Sequence, residues 1–326
     1  MDLAPCRCSR PSLLQDRAII IPSVFSREDV TFLGVFDGTV GDHAADYVQT
    51  AIAESIYGSQ HFRDALATAK SPSDFLSQPV IRGLHNAILE VRPVLLFSLL
   101  HAHARTWTPP SALGGDARCA LLLCASRSHH RPSHRSSQGY DVTDKRLVAM
   151  CRERGLDYSA CTSVTVLLSG SLLTVAHLGD SKVVLGREEG GAGAAVGTAS
   201  PMSGKYLTSD HKPDHPDERR RIEASGGSLT YLHGGKPFIR GGDFTARQAV
   251  GGRPMQLNYS RAFGGKDLKG YGLIAVPDVL QIALSPVDRY VALGSSGDGK
   301  TGHMLVVALL VRLPAPTCHP FSTTHA

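Results

Sequence analysis

The sequence predicts an antiparallel α+β fold. Short apolar runs rich in β-branched residues recur along the chain, and Gly, Ser and Asp turns separate them. Helical patterns fall between groups of strands and do not follow each strand in turn, which argues against a doubly wound parallel sheet. With 326 residues, 42% hydrophobic and 19% charged, the chain can bury a sizeable globular core.

Residues 18–25 (AIIIPSVF) and 31–36 (TFLGVF) read as two strands joined by the polar turn SREDV. Asp42 is placed to cap a helix whose apolar face is Ala45, Val48, Ile52 and Ile56. Residues 163–186 read as a three-strand meander, broken at Ser169-Gly170-Ser171 and at Gly179-Asp180-Ser181. Residues 216–225 (PDERRRIEAS) carry helix signals. Pro216 suits the first turn, Asp217 and Glu218 suit the N-terminal dipole, and Gly226-Gly227 stops the helix. Three more strands are expected at 278–285, 289–294 and 304–313.

Residues 93–139 differ in kind. They are rich in Ser, Pro, His and Arg, with five Arg against one Asp, and are expected to be a disordered insertion. The expected organisation is a single domain from 1–92 and 140–313, with a tail at 314–326.

Composition excludes several classes. A net charge of +5 is too weak for nucleic-acid binding without a clustered patch. The Arg-rich insertion lacks the interleaved aromatics of a single-strand binder, since Trp107 is alone between Phe97 and Tyr140. No nucleic acid partner is expected. The seven scattered cysteines read as reduced thiols of an intracellular protein, cytoplasmic or nuclear. The N-terminal MDLAPCRCSRP lacks the apolar core of a signal peptide. The longest apolar runs, such as Val94–Leu100, fall far short of a membrane span, so no membrane association is expected.

One motif points elsewhere. Gly294, Gly299, Lys300 and Thr301 stand in the order of a nucleotide-binding phosphate loop. Such a loop needs a helix N-terminus behind it and further βα units. The following MLVVALLVRL reads as a buried strand, and residues 301–326 are too few for those units. The nucleotide-hydrolase reading is therefore set aside.

Four stretches carry a resemblance: FLGVFDGTVGD (32–42), TSVTVLLSGSLLTVAHLGDSKVVLGR (162–187), LTSDHKPDHPDERRRIEASGG (207–227) and LNYSRAFGGKDLKGYGLIAVPDVLQIALSPVDRYVALGSSGDG (257–299). In this order they resemble the type 2C metal-dependent protein serine/threonine phosphatases, over about two thirds of the chain. The resemblance implies a four-layer αββα sandwich, two packed antiparallel sheets flanked by helices. It implies two Mg²⁺ or Mn²⁺ ions and hydrolysis of phosphoprotein substrates by metal-activated water.

The resemblance also assigns residues. Asp37 falls on the carboxylate that bridges both metals, and Gly38 on the carbonyl ligand. Read alone, Asp37 is a turn aspartate at a strand end. Asp16 matches the early acidic position acting on metal-bound water, and Arg10 the phosphate-gripping arginine, one residue off the usual spacing; either reads alone as a surface charge. Asp180 matches a carboxylate tied to a further metal, or is a simple hairpin aspartate. Asp210 and His211 orient a turn.

The chain departs from the family at several places. The family's strand-end Ser-Asp-Gly appears here as Ser295-Ser296-Gly297, with Asp298 two residues late. Gly302 and His303 stand where Asp and Asn open the last strand, and the helices between these motifs are missing. Thr39 replaces a His that is a candidate general acid, and Gly265 replaces an Asp. The second metal is therefore expected to bind weakly unless Asp298 contributes. The alternative is a catalytically impaired, phosphatase-like binding protein.

Overall fold

The computed structural model describes residues 15–89, 138–189, 201–296 and 306–310. Arg10, Asp298, Lys300, Thr301, Gly302, His303 and nearly all of the 93–139 insertion lie outside them.

Two antiparallel sheets pack face to face. The first has the order β1 (Arg17–Ile21), β2 (Val30–Phe36), β5 (Ser163–Ser169), β6 (Leu172–Leu178), β13 (Asp278–Ala283). The second has the order β15 (Val306–Leu310), β14 (Asp288–Gly294), β7 (Lys182–Glu188), β8 (Met202–Tyr206). Side chains alternate between faces along a strand. Leu33, Val35, Val164, Val166, Leu173 and Val175 of the first sheet meet Val183, Leu185, Val291 and Leu293 of the second in one core.

The opposite face of the first sheet carries helices, so its strands are apolar on both sides. Phe32, Phe36, Leu167 and Leu172 pack there against α1 (His43–Tyr57), α2 (Gln60–Thr68), α3 (Gln78–Ile88) and α4 (Gln138–Arg154). Double-sided burial explains why runs such as SVTVLLS are nearly continuous in apolar residues. The expected class, two packed antiparallel sheets flanked by helices, is the one observed.

A third cluster lies beside them. It joins α5 (Pro216–Ala224) to the short sheet of β9 (Ser228–Leu232), β10 (Lys236–Arg240) and β11 (Gln256–Leu257) through Ile222, Ile239 and Leu257. A further short sheet joins β3 (Gly38–Thr39), β4 (Ala160–Cys161) and β12 (Phe263–Gly264).

Four expectations need correction. The 163–186 segment is not a meander. β5 and β6 form a hairpin, but β7 belongs to the second sheet, so the chain changes sheet at Gly179–Ser181. Turn residues mark a reversal without saying which sheet the next strand joins. Asp42 precedes α1 but makes no capping bond; its carboxylate accepts from Arg17 instead, at 2.7 Å. Ser159, distant in sequence, accepts from the Ala44 N–H of that helix at 3.1 Å. The first strand ends at Ile21, short of residue 25, and Phe25 and Ser26 lie in a turn with φ of 53° and 60°. Finally, α4 passed unread at the edge of the insertion. Its Tyr140 is fully buried, stacks on Phe263 at 5.1 Å and hydrogen-bonds Thr165 Oγ1 at 2.8 Å.

Candidate metal centre

The topology gathers the acidic residues at one end of both sheets. Arg17 pairs with Phe36, so Asp16 and Asp37 flank the same end of the β1–β2 ladder. The chain then turns into β3, with the Asp37 carbonyl accepting from Thr162 N–H at 3.0 Å. A Cβ at Gly38 would lie 2.4 Å from the Gln15 carbonyl oxygen, so only glycine fits. Asp180 sits where the chain crosses between sheets. Gly179 makes that crossing with a φ of 88°, and a Cβ there would strike Thr162. The end of β14 supplies Ser295 and Ser296, since Gly294 pairs with Lys182 next to Asp180.

The polar contacts are continuous. Ser295 Oγ donates to Asp16 Oδ2 at 2.8 Å. Ser296 donates to Asp37 Oδ2 twice, from its N–H at 3.1 Å and its Oγ at 2.8 Å. Ser296 Oγ is also 3.1 Å from Asp180 Oδ1. A hydroxyl holds one proton, so these two carboxylates share it. Lys212 donates to Asp180 Oδ2, and Lys182 to Asp210.

Burial, with the charges of Asp16 and Asp180, pushes the Asp37 carboxyl up to about 7, against the opposing pull of Ser296. Carboxylates crowded together as hard oxygen donors suit a divalent cation such as Mg²⁺ or Mn²⁺. Asp37, the Gly38 carbonyl and Asp180 therefore fit one ion. They fit a second poorly, because Ser296 is neutral and Lys212 already occupies Asp180 Oδ2.

Another group of potential ligands is His177, His211 and Asp278. It fits a metal less well. His211 Nδ1 accepts from Gly179 N–H at 3.0 Å, which puts its proton on Nε2, facing Asp278 Oδ2 at 3.3 Å. His177 Nε2 donates to the Ser209 carbonyl at 2.9 Å. Ser260 N–H donates to the His211 carbonyl at 2.8 Å, and Arg261 bonds both Glu218 and Asp278. Thus Asp-His-Lys and Ser-Arg-Ala anchor the turn that aims Asp180. The part expected of His211, orienting a turn, is what its contacts provide.

The two imidazoles stack at 4.6 Å. Burial, and then the charge of His211, lowers His177 to about 4; burial also lowers His211, against the pull of Asp278. Arg261 adds to this for both rings, and Glu218 opposes it for His211. The unfolded chain therefore takes up protons first. The contribution of this pair to stability is full above about pH 6.5 and is expected to fall by on the order of 2 kcal/mol as pH drops towards 4, while protonation of Asp37 near 7 works in the opposite sense over the same range. Urea unfolding of the unmodified protein and of a His177→Gln variant across that range checks it, since the difference between the two carries the histidine contribution. The bonds from Arg221 and Arg261 more than offset burial at Glu218 and hold that carboxyl well below its usual range, so its loss comes only at lower pH.

A family profile described as protein phosphatase 2C matches residues 117–297. The chain is also 33% identical over 295 residues to Probable protein phosphatase 2C 48 of Oryza sativa subsp. japonica, covering 89% of this chain and 67% of that protein.

The chain belongs to the protein phosphatase 2C family.

The serine-threonine phosphatase 2C of Toxoplasma gondii has a similar crystal structure, with a TM-score of 0.64 and 32% identity over 90% of this chain and 76% of that one. Rice Probable protein phosphatase 2C 75 is 30% identical over 56% of this chain, but the match spans only 40% of that relative. Two other rice relatives are matched over 39% and 30% of their length.

Among the residues assigned by resemblance, the structure brings together Asp16, Asp37, Gly38 and Asp180, while Arg10 and Asp298 lie outside the described residues. Sequence reasoning marked Ser296 only as a lost acid and missed its bonds to two carboxylates. It also missed the Lys212–Asp180 pair. Nothing in the spacing of Asp180 and Lys212 signals that contact. Val306–Leu310 is a strand paired with β14, where a phosphate loop would need a helix.

Proposed function

We propose that this chain is a Mg²⁺- or Mn²⁺-dependent protein serine/threonine phosphatase. The observation that carries the reading is the convergence of Asp16, Asp37 and Asp180, with the Asp37 carboxyl raised to about 7. Phosphoproteins are its substrates. When bound, the metal supplies an activated water and offsets charge on the phosphate. Hydrolysis breaks the bond between phosphorus and the serine or threonine oxygen, forms one to the water oxygen, and delivers a water proton to the alcohol.

In this reading Asp37, Gly38 and Asp180 hold the metal, with Asp298 a further ligand. Asp16, oriented by Ser295, accepts the proton, and Arg10 grips the phosphate. Thr39 donates no proton at neutral pH as a histidine could; its hydroxyl accepts from Tyr259 at 2.7 Å.

The test is hydrolysis of an aryl phosphate by the purified protein with Mn²⁺, with and without EDTA. Turnover that needs the metal supports the reading. Its absence in a folded protein overturns it, in favour of a phosphatase-like binding protein. The neutral Ser296 between the two carboxylates is what favours that second reading.

A further inference from the structure

Beside the carboxylates lies a cavity of about 270 Å³, lined by Asp180, Lys182, Asp210, Lys212, Lys236 and Asn258 along with Ser296. Its charges do not cancel. Asp180 is paired with Lys212 and Asp210 with Lys182, which leaves Lys236 in excess. Lys236 is exposed and forms no ion pair among the described residues. It opens β10, directly after a hairpin turn at His233–Gly235 whose three residues all have positive φ. That turn leads the lysine into the exposed part of the cavity lining. Asn258, just after β11, adds an amide to the lining.

We propose that this cavity is a subsite for an anionic side chain that flanks the phosphorylated residue of a protein substrate. Its ligand is a carboxylate or a second phosphate. Ser296 and Asp180 line the cavity, so it adjoins the carboxylate cluster to which they also belong. A phosphoester held there therefore places a neighbouring side chain beside Lys236. Both ion-paired lysines keep donor hydrogens free for an incoming oxyanion, since an ammonium group carries three. Peptides with acidic or multiply phosphorylated flanks are selected over neutral ones. The positioning of the phosphoester rests on the phosphatase reading; the anion preference does not.

The test is fluorescence anisotropy with Mn²⁺ and labelled phosphoserine peptides that differ only in the flank: alanine, glutamate or a second phosphoserine. Glutamate should bind about threefold to fivefold tighter than alanine, the size of one exposed ion pair, and the preference should shrink at high salt. If phosphate is the true ligand, the doubly phosphorylated peptide gains more than glutamate does. Lys236→Glu should abolish either preference and leave aryl phosphate turnover unchanged, because that substrate has no flank. Equal binding of all three peptides, or a preference that survives Lys236→Glu, overturns the proposal. Absence of aryl phosphate turnover in the unmodified protein would sink only the phosphatase reading, since the anisotropy still reports on the cavity.

Discussion

Replacing Asp37 by alanine is expected to lower Mn²⁺-dependent aryl phosphate hydrolysis by on the order of a thousandfold. The residue follows the last core residue of β2, and Ser296 holds one carboxylate oxygen from two donors. Asp37 is not part of the apolar core clusters on either face of the first sheet. Removing it takes away one of three neighbouring negative charges, so the metal-free protein should keep its melting temperature. A structural residue would show the reverse, with stability lost together with activity. Circular dichroism melting beside the kinetic assay separates the two. Activity within tenfold of the unmodified protein would mean that Asp37 is not the central ligand.

The second large effect is expected from Ser296→Asp. The Ser296 hydroxyl lies within 3.1 Å of both Asp37 and Asp180, so a carboxylate there faces the same space. One added negative charge near a divalent ion is worth roughly 8 kcal/mol at 4 Å in a protein-surface dielectric, before desolvation and repulsion from Asp37 and Asp180 take their share. Calorimetric titration should then show a second Mn²⁺ bound on the order of a hundredfold tighter than in the parent. Turnover should rise with it. The same charge should destabilise the metal-free protein, because it adds to an already crowded acidic cluster. Unchanged Mn²⁺ affinity would mean that another group, with Asp298 the nearest in sequence, already supplies the missing charge.

The contrast between Asp16 and Lys212 shows how far the site could be read in advance. Asp16 and Asp37 bracket two consecutive antiparallel strands, and such a pair must bring its outer ends together. Their proximity follows from chain order alone. Lys212 and Asp180 are 32 residues apart, and Lys212 lies in a turn with no periodicity. Their contact needs the anchoring of that turn by His211 on Gly179 and by Ser260 on the His211 carbonyl.

The strand at 31–36, the helical face of Ala45, Val48, Ile52 and Ile56, and the ordered motifs were all legible from the chain. Each depends on local periodicity or residue identity, which a linear sequence carries in full. The tertiary structure alone decided three other things. It placed β7 in the second sheet, let Ser159 in place of Asp42 bond the start of α1, and set Ser296 between two carboxylates. Each depends on which surfaces meet across long stretches of chain, and burial in a shared core decides that where local propensity cannot.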